Sequence, residues 1–151
     1  MITPAQLREA RLAAGLTQRE LAAAVGIAPS NLSAYESGRR PMSGEMGERV
    51  LAAIRPLPHE LVEIHRAGMR ELLLAHGVRN PRLFGSAARG DDTRGSDVDL
   101  LVDLGDEVTG FGLARLRLEL EELLGVPVDL VSSGGLEGRF RERVLRDAVA
   151  L

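Results

Sequence analysis

The sequence contains no cysteine, no lysine and no tryptophan, and its 151 residues include only one tyrosine. The absence of cysteine excludes disulfides and thiolate metal sites. Because lysine is absent, every basic side chain that contacts a phosphate must be an arginine, which can hold it through two parallel hydrogen bonds. No apolar run approaches the ~20 residues that a membrane helix requires, and the N-terminus does not resemble a signal peptide. These absences predict a cytoplasmic protein with no membrane association.

Composition and charge point to two domains. Hydrophobic residues make up 44% of the chain, which is enough for a packed core. Arginines exceed acidic residues in positions 1–57, whereas acidic residues exceed arginines in positions 58–151. Pro56 and Pro58 interrupt the helical pattern between these parts, because a proline cannot donate a backbone hydrogen bond. The sequence therefore predicts domains at 1–55 and 59–151, joined by a short stiff linker.

The pattern with the most chemical content is Gly85-Ser86, followed by ten residues and then by Asp97 and Asp99, one residue apart at the start of an apolar run. Residues i and i+2 of a strand point to the same face, so these two carboxylates are predicted to project side by side. A Gly-Ser turn before them suits phosphates, because glycine allows the backbone to approach closely.

A third acid, Asp129, lies in a second apolar run, 126–131. If this run forms a strand beside the first one, its carboxylate reaches the same face; in another register the side chain turns away. Three hard oxygen donors on strands suit Mg²⁺ and the phosphates of a nucleotide.

This spacing resembles the polymerase β-type nucleotidyltransferase superfamily and, within it, the minimal nucleotidyltransferases (MNT) that act as antitoxins. The resemblance covers roughly residues 59–151 and implies an α/β (α+β) domain with a small mixed sheet flanked by helices. It also implies that Asp97, Asp99 and Asp129 are the catalytic and metal-binding residues. The residues expected to bind the nucleotide are Gly85, Ser86, Arg89 and Ser96. For Arg89 an ion pair with a site carboxylate is the alternative.

The resemblance implies Mg²⁺-dependent transfer of AMP from ATP to a tyrosine of a HEPN-domain RNase toxin, which silences the toxin. Two alternatives are a nucleotidyltransferase for a small molecule and a transcriptional repressor with a non-catalytic nucleotidyltransferase fold. The first predicts an additional substrate-binding domain, and the second predicts the loss of a carboxylate, although all three are present.

Residues 4–54 show the pattern of consecutive short helices. Thr17 and Glu20 form a capping-box pair, and Gly26 suits the left-handed turn before a helix that begins at Pro29. This pattern resembles the Cro and phage-repressor (XRE-type) helix-turn-helix domain, which is all-α, binds operator DNA and acts as a homodimer on paired half-sites. A protein-interaction module is the alternative. The residues expected to contact DNA are Gln18, Ser30, Asn31, Ser33, Arg39 and Arg40.

Periodicity predicts the remaining elements. The predicted helices are 43–54, 59–76, 111–124 and 136–149, and the predicted strands are 82–84, 97–104 and 126–131. Three other acids are expected to be solvated, namely Asp91, Asp92 and Asp103. The histidines lack metal-ligand spacing and are expected at the surface or at helix ends.

Overall fold

The chain divides into two units, Met1–Pro56 and Leu57–Leu151, in a computed structural model that describes all residues from 1 to 151. The first unit is entirely helical. Its helices are α1 Pro4–Ala13, α2 Gln18–Ala24, α3 Pro29–Glu36 and α4 Gly44–Ala53.

Side-chain caps explain where these helices begin. Thr17 Oγ1 accepts from the Glu20 backbone N–H at 3.2 Å, and a Glu20 carboxylate oxygen accepts from the Thr17 N–H at 2.7 Å. This confirms the predicted capping box and satisfies two backbone donors that the first turn of α2 leaves without helical partners. Gly26 follows α2 with a φ of +69°, a left-handed conformation that favours glycine.

Apolar side chains from all four helices form the core of the first unit. Its buried members are Leu7, Leu21, Ala22, Val25, Leu32, Tyr35 and Val50. A buried ion pair joins α1 to α3, because Arg11 Nε donates to Glu36 Oε1 at 2.6 Å. Two hydrogen bonds between this guanidinium and this carboxylate satisfy charges that would be costly to bury unpaired.

The second unit combines a four-stranded sheet with helices. Its elements are α5 Pro58–Ala75, β1 Val78–Phe84, α6 Gly85–Arg89, β2 Val98–Leu104, α7 Gly110–Leu124, β3 Val128–Ser132, α8 Gly138–Asp147 and β4 Val149–Ala150. The sheet order is β3-β2-β1-β4, with β2 and β3 parallel and the other pairs antiparallel. The predicted fold class is therefore confirmed: a helical domain is followed by an α/β domain with a small mixed sheet.

The structure differs from the prediction in the start of β1, in the end of the last helix and in the presence of a fourth strand. β1 begins at Val78 instead of residue 82, because Asn80 with a φ of +46° and a bulge between Arg79 and Arg82 break the alternation that marks a strand. The last helix ends at Asp147 instead of continuing to 149. The next two residues after Ala148 form β4 on the edge of β1, a pairing too short to leave a periodic pattern in the sequence.

The two faces of the sheet have different roles. One face packs under α5 and α7, where Val98, Leu100 and Val102 of β2 belong to the main apolar core. On the other face, Phe84 and Leu101 form a smaller cluster with residues of the α8 region. None of the helices combines the length and the apolar character that crossing a bilayer demands.

Candidate functional site

Strand register brings two of the predicted carboxylates together. Asp99 of β2 lies opposite Asp129 of the parallel strand β3, and it also lies opposite Phe84 of β1. Paired residues of neighbouring strands share a face, so both aspartates lie on the face opposite the main core. Asp97 directly precedes β2 and has the same alternation as Asp99. The strand register therefore places Asp129 on the same face as Asp99 and does not turn its side chain away.

The Gly-Ser turn packs directly against this pair. Gly85 has a φ of +72°, and a Cβ added to it would lie 2.2 Å from Asp99 Oδ2. No larger residue fits without moving the carboxylate, so the glycine supplies both a left-handed backbone and the space that Asp99 occupies. Ser86 follows as a half-buried residue in α6. The two parts of the motif, ten residues apart, are therefore in contact.

The electrostatics of the site centre on Asp99. Partial burial, followed by the neighbouring charges of Asp129 and Asp97, raises the pKa of Asp99 from 3.8 to about 6, and Arg89 opposes this rise. Desolvation and like charges both disfavour the ionised carboxylate. A cation placed here would relieve the repulsion between the three acids.

The donor set bears on which metal suits the site. No group of three or more histidine, aspartate or glutamate side chains in the chain is placed to hold a metal ion, so the three predicted carboxylates do not form a closed ligand cage. Mg²⁺ does not require one, since it usually keeps several waters and binds through one or two carboxylates together with substrate phosphates. The hard oxygens of Asp97 and Asp99 beside an open face fit that mode of binding.

Two predicted nucleotide-binding residues make contacts within the chain. Arg89 Nη1 donates to Asp147 at 2.8 Å and Arg89 Nε donates to Asp91 at 3.3 Å. Its ion-pair partners are therefore not the three predicted carboxylates, and the contact ties α6 to the end of α8. Ser96 Oγ accepts from the Thr93 backbone N–H at 3.1 Å and closes the turn that precedes Asp97.

The prediction that Asp92 is solvated is wrong. Its side chain is 0% exposed, and it accepts from the His59 backbone N–H at 2.8 Å while a second oxygen lies 2.8 Å from His59 Nδ1. α5 begins after Leu57, which has no side-chain oxygen to cap the helix. The missing cap was the only indication in the sequence that another residue caps α5, and it did not identify Asp92 as that residue.

The predicted DNA-contacting residues lie on and after α3. Ser30 is exposed, and Asn31 and Ser33 are partly exposed. Asn31 Oδ1 accepts from Arg40 Nη1 at 3.1 Å, and Arg39 Nε donates to Ser37 Oγ at 2.9 Å. These contacts hold both arginines beside the helix.

The environment of Gln18 differs from that of the other predicted DNA-contacting residues. Its Nε2 donates to Glu36 Oε2 at 2.7 Å, so this side chain joins the buried Arg11–Glu36 pair. The contact orients Gln18 toward the interior of the helical unit.

Comparisons with known proteins identify both units of the chain. Residues 7–60 match the helix-turn-helix family and residues 62–151 match the nucleotidyltransferase domain family. A protein of Methanocaldococcus jannaschii, named among the protein adenylyltransferases, is 40% identical over 78 residues, which are 52% of this chain and 84% of that protein. The protein adenylyltransferase MntA of Thermococcus cleftensis is 39% identical over 90 residues, which are 60% of this chain and 91% of that protein.

Solved structures resemble the second unit. A structure described as a minimal nucleotidyltransferase has a TM-score of 0.56 and 46% identity, covering 62% of this chain and 95% of that one. A toxin-antitoxin structure with AMP-PNP has a TM-score of 0.50 and 24% identity, covering 56% of this chain and 69% of that one, and it supports the fold. Both resemblances inferred from the sequence are confirmed. The chain belongs to the nucleotidyltransferase domain family and carries a helix-turn-helix domain before its nucleotidyltransferase domain.

Proposed function

We propose that this chain is a Mg²⁺-dependent protein adenylyltransferase that transfers AMP from ATP to a HEPN-type toxin, and that it represses its own operon through the helix-turn-helix domain. The observation that carries the proposal is the packing of Gly85 against Asp99, with Asp129 in register beside it. The names of the relatives support protein adenylylation as the reaction type.

In the proposed reaction, a hydroxyl oxygen of the acceptor bonds to the α-phosphorus of ATP while the bond to pyrophosphate breaks. Asp97 and Asp99 would hold Mg²⁺, which when bound neutralises charge on the phosphate oxygens. Asp129, on the neighbouring strand, accepts the proton from the attacking hydroxyl. The Gly85-Ser86 turn admits the phosphates close to the backbone, and the Ser86 hydroxyl donates to them.

Arg89 and Ser96 have supporting roles in this proposal. Arg89 is exposed at the end of α6, where it can exchange its carboxylate partners for a phosphate oxygen. Ser96 keeps its bond to Thr93 and thereby fixes the turn from which Asp97 projects.

For the helix-turn-helix domain, we propose that Ser30, Asn31 and Ser33 contact base edges in the major groove. Arg39 and Arg40 contact phosphates, which sets the position of the domain without selecting sequence. A homodimer would place two copies of α3 on paired half-sites.

The test is transfer of label from ATP labelled at the α-phosphate to a HEPN-type protein encoded beside this chain, in the presence of Mg²⁺. We expect the wild type and the surface variant Asp106→Asn to label the acceptor equally, and Asp97→Asn and Asp99→Asn to lose labelling by more than about a hundredfold, since both remove charge at the metal. Wild-type labelling in either site variant would overturn the proposed roles. If the wild type labels no protein but binds operator DNA, the chain is a repressor with a non-catalytic nucleotidyltransferase fold.

A further inference from the structure

Asp92 makes a long-range contact in the loop that connects α6 to β2. Its side chain is fully buried, and its partner His59 lies 33 residues earlier, at the second position of α5. One carboxylate thereby accepts from the backbone N–H of α5 and also pairs with the imidazole. A helix start that lacks its own side-chain cap receives one from this loop.

The loop joins the two halves of the site. It begins after Arg89, the last residue of α6, and it ends at Asp97 immediately before β2. Two other side-chain contacts of the loop are local, since Asp91 pairs with Arg89 two residues away and Ser96 bonds to Thr93 three residues away. Such local bonds shape a turn but do not fix its position relative to the rest of the domain. The Asp92 contact does fix it, because α5 belongs to the main core.

We propose that Asp92, anchored to His59, is a positioning residue that holds Asp97 at the correct distance from the Gly85-Ser86 turn. The inference rests on the proposed function for its kinetic consequence. Displacement of reacting groups by about 1 Å can reduce the rate about a hundredfold. Asp92 itself is turned into the protein toward His59 and is not one of the proposed metal-binding or nucleotide-binding residues.

The geometry also predicts how substitutions at this position differ. Asp92→Asn retains one side-chain oxygen that can accept from the His59 N–H, so this variant conserves the anchor to the helix. Asp92→Ala removes both contacts. His59→Ala removes the imidazole but leaves the backbone N–H for Asp92 to cap.

The first measurement is steady-state AMP transfer by the full chain at varied ATP concentration. We expect Asp92→Ala to lower kcat by about a hundredfold with KM for ATP changed less than about threefold, and Asp92→Asn and His59→Ala to lower kcat by less than about tenfold. The control is Asp106→Asn, an exposed aspartate in another loop, which should match the wild type.

The second measurement is amide hydrogen exchange of the same variants without nucleotide. The Thr93 and Ser96 amides are hydrogen-bonded within the turn, and we expect them to exchange at least about tenfold faster in Asp92→Ala, while amides of β2 keep their protection. A purely structural role would instead increase exchange throughout the domain and leave the kcat of the folded enzyme unchanged.

The two measurements separate the possible failures. If Asp92→Ala has wild-type kcat and wild-type exchange at Thr93 and Ser96, the positioning role is wrong. If exchange increases in the turn but kcat does not fall, the loop is anchored by Asp92 without consequence for catalysis, and the inference is also overturned. If the wild type transfers no AMP to any acceptor, the proposed function fails, and the exchange data still decide whether Asp92 positions the loop.

Discussion

At the scale of single residues, Asp99 is the centre of the site because three constraints meet on it. Gly85 has no side chain, and the Asp99 carboxylate occupies the space that a Cβ at this position would need. Asp129 lies directly opposite it on β3. Burial and the two neighbouring acids raise its pKa to about 6, so the folded chain carries an electrostatic cost at neutral pH that a bound cation would remove.

This cost predicts how stability depends on pH. Because the folded-state pKa of Asp99 lies above its ordinary value of 3.8, its contribution to stability is full below pH 4 and is lost as the pH rises through about 6. Without divalent cations, we expect Asp99→Asn to raise the free energy of unfolding at pH 7.5 by about 1 kcal/mol, a value reduced for the solvent screening of a half-buried group. At pH 4 the two proteins should be about equally stable. Urea unfolding in the presence of a chelator measures both values.

Mg²⁺ provides the control for this prediction. Adding it at pH 7.5 should stabilise the wild type more than Asp99→Asn, because the ion stabilises the state that binds it. If Asp99→Asn is no more stable than the wild type at pH 7.5 without the ion, the repulsion at this carboxylate is too weak to matter.

At the scale of elements, we propose that α3 and the segment after it make two different kinds of DNA contact. Asn31 lies on the helix and is bonded to Arg40, whereas Arg39 lies beyond the helix and bonds to Ser37. A residue on the helix can reach base edges in the groove, and an arginine beyond its end can reach the sugar-phosphate backbone.

This separation predicts different binding phenotypes. We expect Asn31→Ala to reduce the preference for operator over random DNA by about 1 to 3 kcal/mol, the usual value of a good direct base contact. Arg39→Ala should weaken binding to both DNAs alike. It should also reduce the slope of log K against log salt concentration by about one, the value expected for the loss of one phosphate contact. Fluorescence anisotropy at several salt concentrations measures these effects. Equal losses on operator and random DNA for both variants would contradict the proposed contact of Asn31 with base edges.

At the scale of the whole chain, the two units have separate cores and separate proposed sites. Every member of the main apolar core, and every residue of the proposed nucleotide site, lies in Leu57–Leu151. The helical unit has its own buried cluster within Met1–Pro56. Each unit therefore has the material to fold by itself.

We predict that residues 57–151 form an active unit without the helix-turn-helix domain. The fragment should begin at Leu57, because its backbone N–H donates to Glu60 at 2.7 Å and Pro58 is buried, whereas a start at residue 59 would lose both contributions to α5. We expect kcat for AMP transfer within about threefold of the full chain, with no operator binding. The control is the same fragment carrying Asp97→Asn.

Co-expression with the proposed HEPN-type toxin extends this comparison to cells. Rescue of growth by the full chain and by the fragment, but not by the Asp97→Asn fragment, would support covalent modification as the silencing step. Rescue by all three would show that binding suffices and would contradict the proposed role of catalysis.

Local patterns in the sequence determined the elements and much of the site. Capping residues, apolar periodicity and prolines depend on neighbours a few positions away, so the helices and the strands β2 and β3 were predictable to within a few residues. The same holds for the alternation that places Asp97 and Asp99 on one face. The spacing of Gly85-Ser86 before these acids was enough to indicate the family, which the comparisons confirm.

Only the tertiary structure decided the contacts between residues distant in the chain. Three such contacts are the register that puts Asp129 opposite Asp99, the pairing of β4 with β1 and the burial of Asp92 at the start of α5. In each case, no local pattern in one segment indicates which other segment it contacts. Aspartate is usually exposed because burying its charge is costly, and a distant donor pair offsets that cost here. The sequence therefore indicated which type of reaction the chain is suited to, and the packing of the domain determined which side chains position the candidate carboxylates.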